Sequence, residues 1–122
     1  MVKLQILIPQ YNEDDNKIKP LLDSIAMQQD IDFNDIEIII GNDGSDVKLS
    51  NDLLASYNFK IQYHQFKHGR LAATRQNLFN LVTAPYVMWC DADDQFISTI
   101  ALSLIFNAME DSFDVLIDDF LE

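Results

Sequence analysis

Short apolar runs rich in β-branched residues alternate with stretches whose apolar residues recur at helical spacing, and this alternation repeats four times along the chain. The first run, KLQILIP (residues 3–9), reads as a strand ended by Pro9. Residues 16–29 place Ile18, Leu21, Leu22, Ile25 and Ala26 on one helical face, with Pro20 in the first turns, where a missing N–H matters least. DIEIIIG (35–41) is a second strand stopped by the turn-rich NDGSD, with Ser45 or Asp46 expected to cap a short helix over residues 47–57. KIQYHQF (60–66) is a third strand, KHG a break, and residues 70–82 a helix. PYVMWC (85–90) is a fourth strand; a helix over 98–109 with Ser98 as N-cap and a fifth strand over 113–118 complete the series. Such alternation predicts an α/β layered domain with a mainly parallel sheet. Runs such as IEIII and YVMW lack strict alternation, as strands covered by helices on both faces should. Ligands of such sheets bind beyond the C-terminal strand ends, so PQYNED, GNDGSD, HQFKHGR and DADD are the segments in which to look for chemistry.

The chain has 122 residues, the size of one domain, and its hydrophobic fraction of 48% is enough for a core. Its formal net charge of −12 argues against nucleic acid and anionic lipid as partners, since both need a basic face. The single cysteine, Cys90, has no internal partner, and no run is long and apolar enough for a signal peptide or a membrane span. A soluble, cytoplasmic setting is therefore expected.

DADD places Asp91, Asp93 and Asp94 just where the fourth strand stops. Their mutual repulsion suggests a hard divalent cation, Mg²⁺ or Mn²⁺, which prefers oxygen ligands; the plainer alternative is that Asp93 or Asp94 caps the following helix. In GNDGSD, Gly44 suits a tight turn and Asp43 can accept from a ligand N–H or hydroxyl, or the segment is only a βα turn. Tyr11 offers an aromatic face to a planar base, or is a tyrosine at the core edge. Arg70 and Arg75, two of eight basic residues, can pair with a phosphate or steady the carboxylates. His64 and His68 lack metal-ligand spacing with the acids and read as strand or loop residues. Neither G-x-G-x-x-G nor G-x-x-x-x-G-K-[ST] is present, which argues against dinucleotide-binding and P-loop enzymes.

Together these loops resemble the N-terminal, nucleotide-sugar-binding half of a family 2 glycosyltransferase of the Rossmann-like GT-A fold. The resemblance rests on Pro9-Gln10-Tyr11-Asn12-Glu13, Asn42-Asp43-Gly44-Ser45, Gly69, Arg75, Tyr86-Val87 and Asp91-Ala92-Asp93-Asp94, and it spans essentially the whole chain. It implies one domain over residues 1–122, a truncated half of a larger enzyme of the kind that builds cell-wall or other polysaccharides. The enzyme would be inverting and metal-dependent, moving a sugar from a nucleoside diphosphate, UDP above all, to a saccharide, lipid or protein hydroxyl. Tyr11 would stack on the base, and Asp43 would accept from its edge. Asp91 would reach the ribose or the metal shell, and Asp93 would bind the Mn²⁺ or Mg²⁺. Arg75, and more weakly Arg70, would lie near the base or diphosphate, with Pro9, Glu13 and Ala92 lining the same site. The catalytic base is expected beyond residue 122, the fragment is expected to be inactive, and the parent is expected to be cytoplasmic, against the membrane at most peripherally. Asn42 stands where the family has the first Asp of D-D-G-S, and the family's Arg-Asn pair is split as Arg75-Gln76-Asn77. A half-domain also leaves a truncated apolar face through which copies can self-associate. Two other classes fit the length. A receiver-type signalling domain would bind Mg²⁺ through acids such as Glu13, Asp14 and Asp15 and accept a phosphoryl group, but no lysine follows Asp114. A ligand-free interaction fragment is the third.

Overall fold

The computed structural model describes residues 1–111. Four strands, β1 (Leu4–Gln10), β2 (Ile36–Asp43), β3 (Lys60–Phe66) and β4 (Tyr86–Trp89), form a parallel sheet in the order β3-β2-β1-β4. They alternate with α1 (Asp15–Ala26), α2 (Asn51–Ala55), α3 (Leu71–Phe79) and α4 (Ala101–Glu110). The chain builds outward from β1 through β2 to β3, then crosses back to lay β4 on the other side of β1. Strand order therefore reverses between β1 and β4, the place where open α/β sheets leave a crevice.

Period-two alternation sends the strand side chains to two helix-covered faces. Leu4, Ile6, Ile8, Ile38 and Ile40 pack with Ile18, Leu21, Leu22 and Ile25 of α1 and Ala101, Leu102 and Ile105 of α4. Leu7 and Ile39 pack on the opposite face with Leu78 of α3, flanked by Trp89 and Phe66. A parallel α/β sheet with helices on both faces is thus what the chain forms. Gly41 sets how closely α3 approaches: a Cβ there would come within 2.5 Å of the Phe66 ring and 2.9 Å of Leu78 Cδ2. Ile97, Ile100 and Leu104 remain exposed apolar residues. Among the described residues no helix is long and apolar enough to cross a membrane.

Several boundaries differ from the sequence expectation. Pro9 does not end β1 but lies within it, opposite Gly41 of β2. The Leu7 carbonyl accepts from Cys90 N, so the main-chain groups of Leu7 and Pro9 point toward β4, whose ladder with β1 has ended by Trp89. The missing proline N–H therefore leaves no pairing unmade. Pro20 is the sixth residue of α1, on its exposed side, deeper than a first-turn position. β2 continues through Asn42 and Asp43 rather than stopping at Gly41. α2 is only five residues long and is capped by Ser50, whose side chain accepts from Leu53 N; Ser45 and Asp46 do not cap it. α4 begins at Ala101 after Ile100, and Ser98 Oγ instead accepts from Ile100 N, closing the turn that leads in. The expected fifth strand, with Asp114, lies outside the described residues.

Candidate functional site

At the C-terminal ends of β1, β2 and β4 the loops enclose a cleft of about 320 Å³. Pro9, Gln10, Tyr11 and Glu13 line it from β1, Asp43 from β2, and Asp91, Ala92 and Asp93 from the loop after β4. A larger cavity, about 550 Å³, lies at the other end of the sheet among Phe33, Tyr57 and Phe59 and touches none of these loops.

The β1 wall is held by buried amides. Gln10, 1% exposed, donates from Nε2 to the Glu13 carbonyl (2.8 Å) and the Val47 carbonyl (3.0 Å), and accepts from Tyr63 Oη (2.9 Å). Asn12 takes φ 64°, a left-handed turn that asparagine tolerates, and Glu13 Oε1 accepts from Tyr11 N at 3.1 Å. Backbone and side chain thus pin the loop while Tyr11 stays 44% exposed.

At the β2 end, Asp43 is only 8% exposed. Its Oδ1 accepts from Gly69 N at 2.8 Å, and its main-chain oxygen lies 2.9 Å from His68 Nδ1. A carbonyl only accepts, so Nδ1 carries the proton. The His68 ring lies 5.1 Å from that of Tyr11, tilted by 34°. Gly44, at φ 72°, makes the turn after β2, and a Cβ there would run into the His68 backbone. Asn42 faces the other way and is fully buried: Oδ1 accepts from Ser45 N (3.0 Å) and Oγ (2.9 Å), while Nδ2 donates to the Ser45 carbonyl (3.1 Å) and Gln65 Oε1 (2.9 Å). Asn42 therefore shapes the turn from below and takes no part in lining the cleft.

Beyond β4, Asp91 to Asp94 form a turn in which Asp94 N donates to the Asp91 carbonyl (3.0 Å) and Asp91 N to Asp94 Oδ2 (3.2 Å). Asp94 thus braces the loop, while Asp91 and Asp93 are exposed at the cleft. One carboxylate oxygen from each of Asp91, Asp93 and Asp94 lies within 4.8 Å of the others, an all-oxygen donor set that fits a hard divalent cation. Burial, and after it the charges of Asp91 and Asp93, hold the Asp94 carboxyl above its ordinary 3.8, against a backbone hydrogen bond from Asp91 that lowers it. Burial, followed by the charges of Asp94 and Asp91, pushes the Cys90 thiol up to about 12, so it is no nucleophile here.

Arg70 and Arg75 are not among the residues lining the cleft. Arg70 is the N-cap residue of α3, and the Arg75 guanidinium sits 5.6 Å from the Trp89 ring centroid, a cation–π contact in place of an ion pair with the acids. The acids after β1 are spent on structure: Asp14 caps α1, and Asp15 Oδ1 accepts from Ser50 N at 2.9 Å. Nothing at that position gathers the way a receiver's acids would.

Three cleft residues escaped sequence reasoning: His68, Leu71 and Thr74. His68 offered only the signal of its place after β3. Thr74 offered its spacing: it stands one helical turn before Leu78, which packs over Gly41, so it is level with the end of β2. Thr74 lines the cleft, is 1% exposed, and its Oγ1 is a buried side-chain oxygen without a hydrogen-bond partner among the described residues. Leaving that hydroxyl unpaired costs stability, so Thr74→Val is expected to stabilise the chain by about 1 kcal/mol in chemical denaturation. A loss of stability would mean the hydroxyl is satisfied.

Several proteins resemble this chain. An Escherichia coli K12 protein described as the uncharacterized glycosyltransferase YibD is 32% identical over 116 residues, covering 93% of this chain and 32% of its own length. The teichoic acid poly(glycerol phosphate) polymerase of Staphylococcus epidermidis is 34% identical over 102 residues, covering 80% of this chain and 14% of the polymerase. The crystal structure of S. aureus TarS 1-349 superposes with a TM-score of 0.77 at 20% identity, over 90% of this chain and 33% of that one, as does the same protein in complex with UDP-GlcNAc, over 32% of its chain. The chain thus spans about a third or less of the length of these proteins. The TarS likeness shows the GT-A fold, and residues 5–121 match Glycosyl transferase family 2. With loops, sheet order and this match in agreement, the chain belongs to glycosyl transferase family 2.

Proposed function

We propose that the cleft binds a nucleoside-diphosphate sugar, with UDP as the nucleotide, and that residues 1–122 form the donor-binding part of an inverting, metal-dependent glycosyltransferase. The observation that carries this reading is the meeting, in one crevice at the strand-order reversal, of an aromatic face, a nearly buried carboxylate and an exposed acid cluster. Tyr11 stacks on the base and Asp43 accepts from its edge through Oδ2, since Oδ1 is taken by Gly69 N. Pro9, Glu13 and Ala92 complete the wall. Asp93, with Asp91, holds a divalent cation; when bound, that ion neutralises charge on the diphosphate as it leaves. The UDP-GlcNAc complex of TarS, a protein of the same fold, supports a uridine nucleotide as the probe of choice.

In the parent reaction an acceptor hydroxyl attacks the anomeric carbon from the side opposite the diphosphate, and a base takes its proton. The cleft carboxylates already have roles, Asp43 toward the nucleotide base and Asp91 and Asp93 toward the cation, so we place the catalytic base in a further part of a longer protein. The acceptor is a saccharide, lipid or protein, and the teichoic acid relative favours a cell-wall polymer. Residues 1–122 alone are then expected to bind UDP weakly, more tightly with Mn²⁺, and to transfer little or no sugar. Titration calorimetry with UDP, with and without Mn²⁺, tests this. Binding indifferent to Mn²⁺ removes the metal role, and no binding in either buffer removes the nucleotide.

A further inference from the structure

His68 makes contacts that no other cleft residue duplicates. Its Nδ1–H donates to the main-chain oxygen of Asp43 at 2.9 Å, and its ring rests 5.1 Å from that of Tyr11. The neighbouring Gly69 N donates to Asp43 Oδ1, so residues 68 and 69 together hold both the backbone and one carboxylate oxygen of Asp43. Asp43 Oδ2 is 3.7 Å from Nδ1, too far for a hydrogen bond, and is left as an acceptor. The backbone of His68 is itself wedged against Gly44, where even a methyl group would collide with it. The imidazole therefore ties an aromatic platform to the backbone of Asp43, whose carboxylate the adjoining Gly69 N holds, although Tyr11 and Asp43 come from the ends of different strands and do not hold each other. Its side chain is 62% exposed, so it contributes little to the core, and a structural role alone does not account for so constrained a placement.

We propose that His68 is the positioning residue of the nucleotide subsite: it sets the Tyr11 ring and the Asp43 carboxylate in the one relation that lets a planar base stack on the first while donating to the second. This rests on the assignment of the cleft to a uridine nucleotide. A base bound between pre-set partners loses less freedom than one that must order them, so the contribution appears in affinity.

The test is UDP and UMP titration of residues 1–122 by NMR, which reports weak binding, with His68→Ala, His68→Asn and His68→Phe. His68→Ala is expected to weaken UDP about 10-fold, the scale of one hydrogen bond plus one aromatic contact. The melting temperature should stay within about 3 °C of wild type, as at other exposed positions. Asn restores a donor to the Asp43 carbonyl and Phe restores a ring against Tyr11, so each should recover part of the loss. UMP should lose as much as UDP, because the subsite holds the base. If wild type binds UDP and His68→Ala binds it equally or more tightly, the proposal is wrong and the nucleotide assignment stands. A loss confined to UDP moves His68 to the diphosphate and also overturns it. If wild type binds neither nucleotide, the nucleotide assignment itself fails and this inference falls with it.

Discussion

Asp93→Asn is expected to abolish the Mn²⁺-dependent part of UDP binding while leaving the fold at least as stable as before. The carboxylate is exposed at the cleft and makes no hydrogen bond or ion pair among the described residues, so nothing structural is lost with its charge. What is lost is one of two oxygen donors offered to the cation, and the isosteric amide is a far poorer ligand for a hard ion. Relief of repulsion within Asp91, Asp93 and Asp94 should raise the metal-free melting temperature by about 2 °C. The pH behaviour carries the same sign. Folding raises the Asp94 carboxyl above 3.8, chiefly through burial, so the folded state favours its protonated form. That contribution to stability is fully present below 3.8 and disappears as pH rises through the raised value. Removing the Asp93 charge should shrink this loss, and Mn²⁺ at neutral pH should restore stability to wild type but not to Asp93→Asn. Calorimetric titration, and melting curves at acid and neutral pH with and without Mn²⁺, read these effects. An undiminished Mn²⁺ increment in Asp93→Asn would take the metal away from this residue.

The largest expected effect on stability comes from Asn42→Asp, a change toward the family's D-D-G-S. Asn42 is fully buried and uses both ends of its amide, accepting from Ser45 and donating to the Ser45 carbonyl and Gln65 Oε1. A carboxylate keeps the first half and reverses the second, setting a negative oxygen against a carbonyl with no cation nearby. Gln65 can turn its amide to donate, but the Ser45 carbonyl cannot change. Destabilisation of about 2 kcal/mol is expected at neutral pH. Because the buried acid would ionise reluctantly, the penalty should shrink as pH falls and the protonated carboxyl recovers a donor. Urea unfolding at two pH values measures it; a penalty that grows on acidification would show that the new charge has found a positive partner. The loss would also spread to the cleft, since the turn that Asn42 braces carries Asp43 and Gly44.

Much of this architecture is legible in the chain because it depends on near neighbours. Apolar spacing at Ile18, Leu21, Leu22 and Ile25 marks the buried face of α1, and the unbroken run of Ile38, Ile39 and Ile40 marks a strand covered on both sides. Boundaries were less legible where a cap or a pairing decides them. Ser50 caps α2 although Ser45 and Asp46 come first, because Asn42 has already engaged Ser45. Pro9 stays in a strand because its neighbour on that side has ended, a fact of sheet order that no local pattern records.

The amino-acid order alone determined that this is a parallel α/β domain, and which loops carry an aromatic ring, a lone carboxylate and clustered acids, since periodicity and turn chemistry act over a few residues. Only the tertiary structure decided how those loops use their side chains. It set Gly69 and His68 against Asp43, 26 and 25 residues away, turned Arg75 onto Trp89, gave Asp94 to the turn and left Asp91 and Asp93 at the cleft. The physical reason is that, apart from the local turn of Asp94, these placements join segments distant in sequence: β3 beside β2 brings residues 68 and 69 to Asp43, and the crossover that lays β4 beside β1 brings Trp89 to Arg75 and the acids to the cleft.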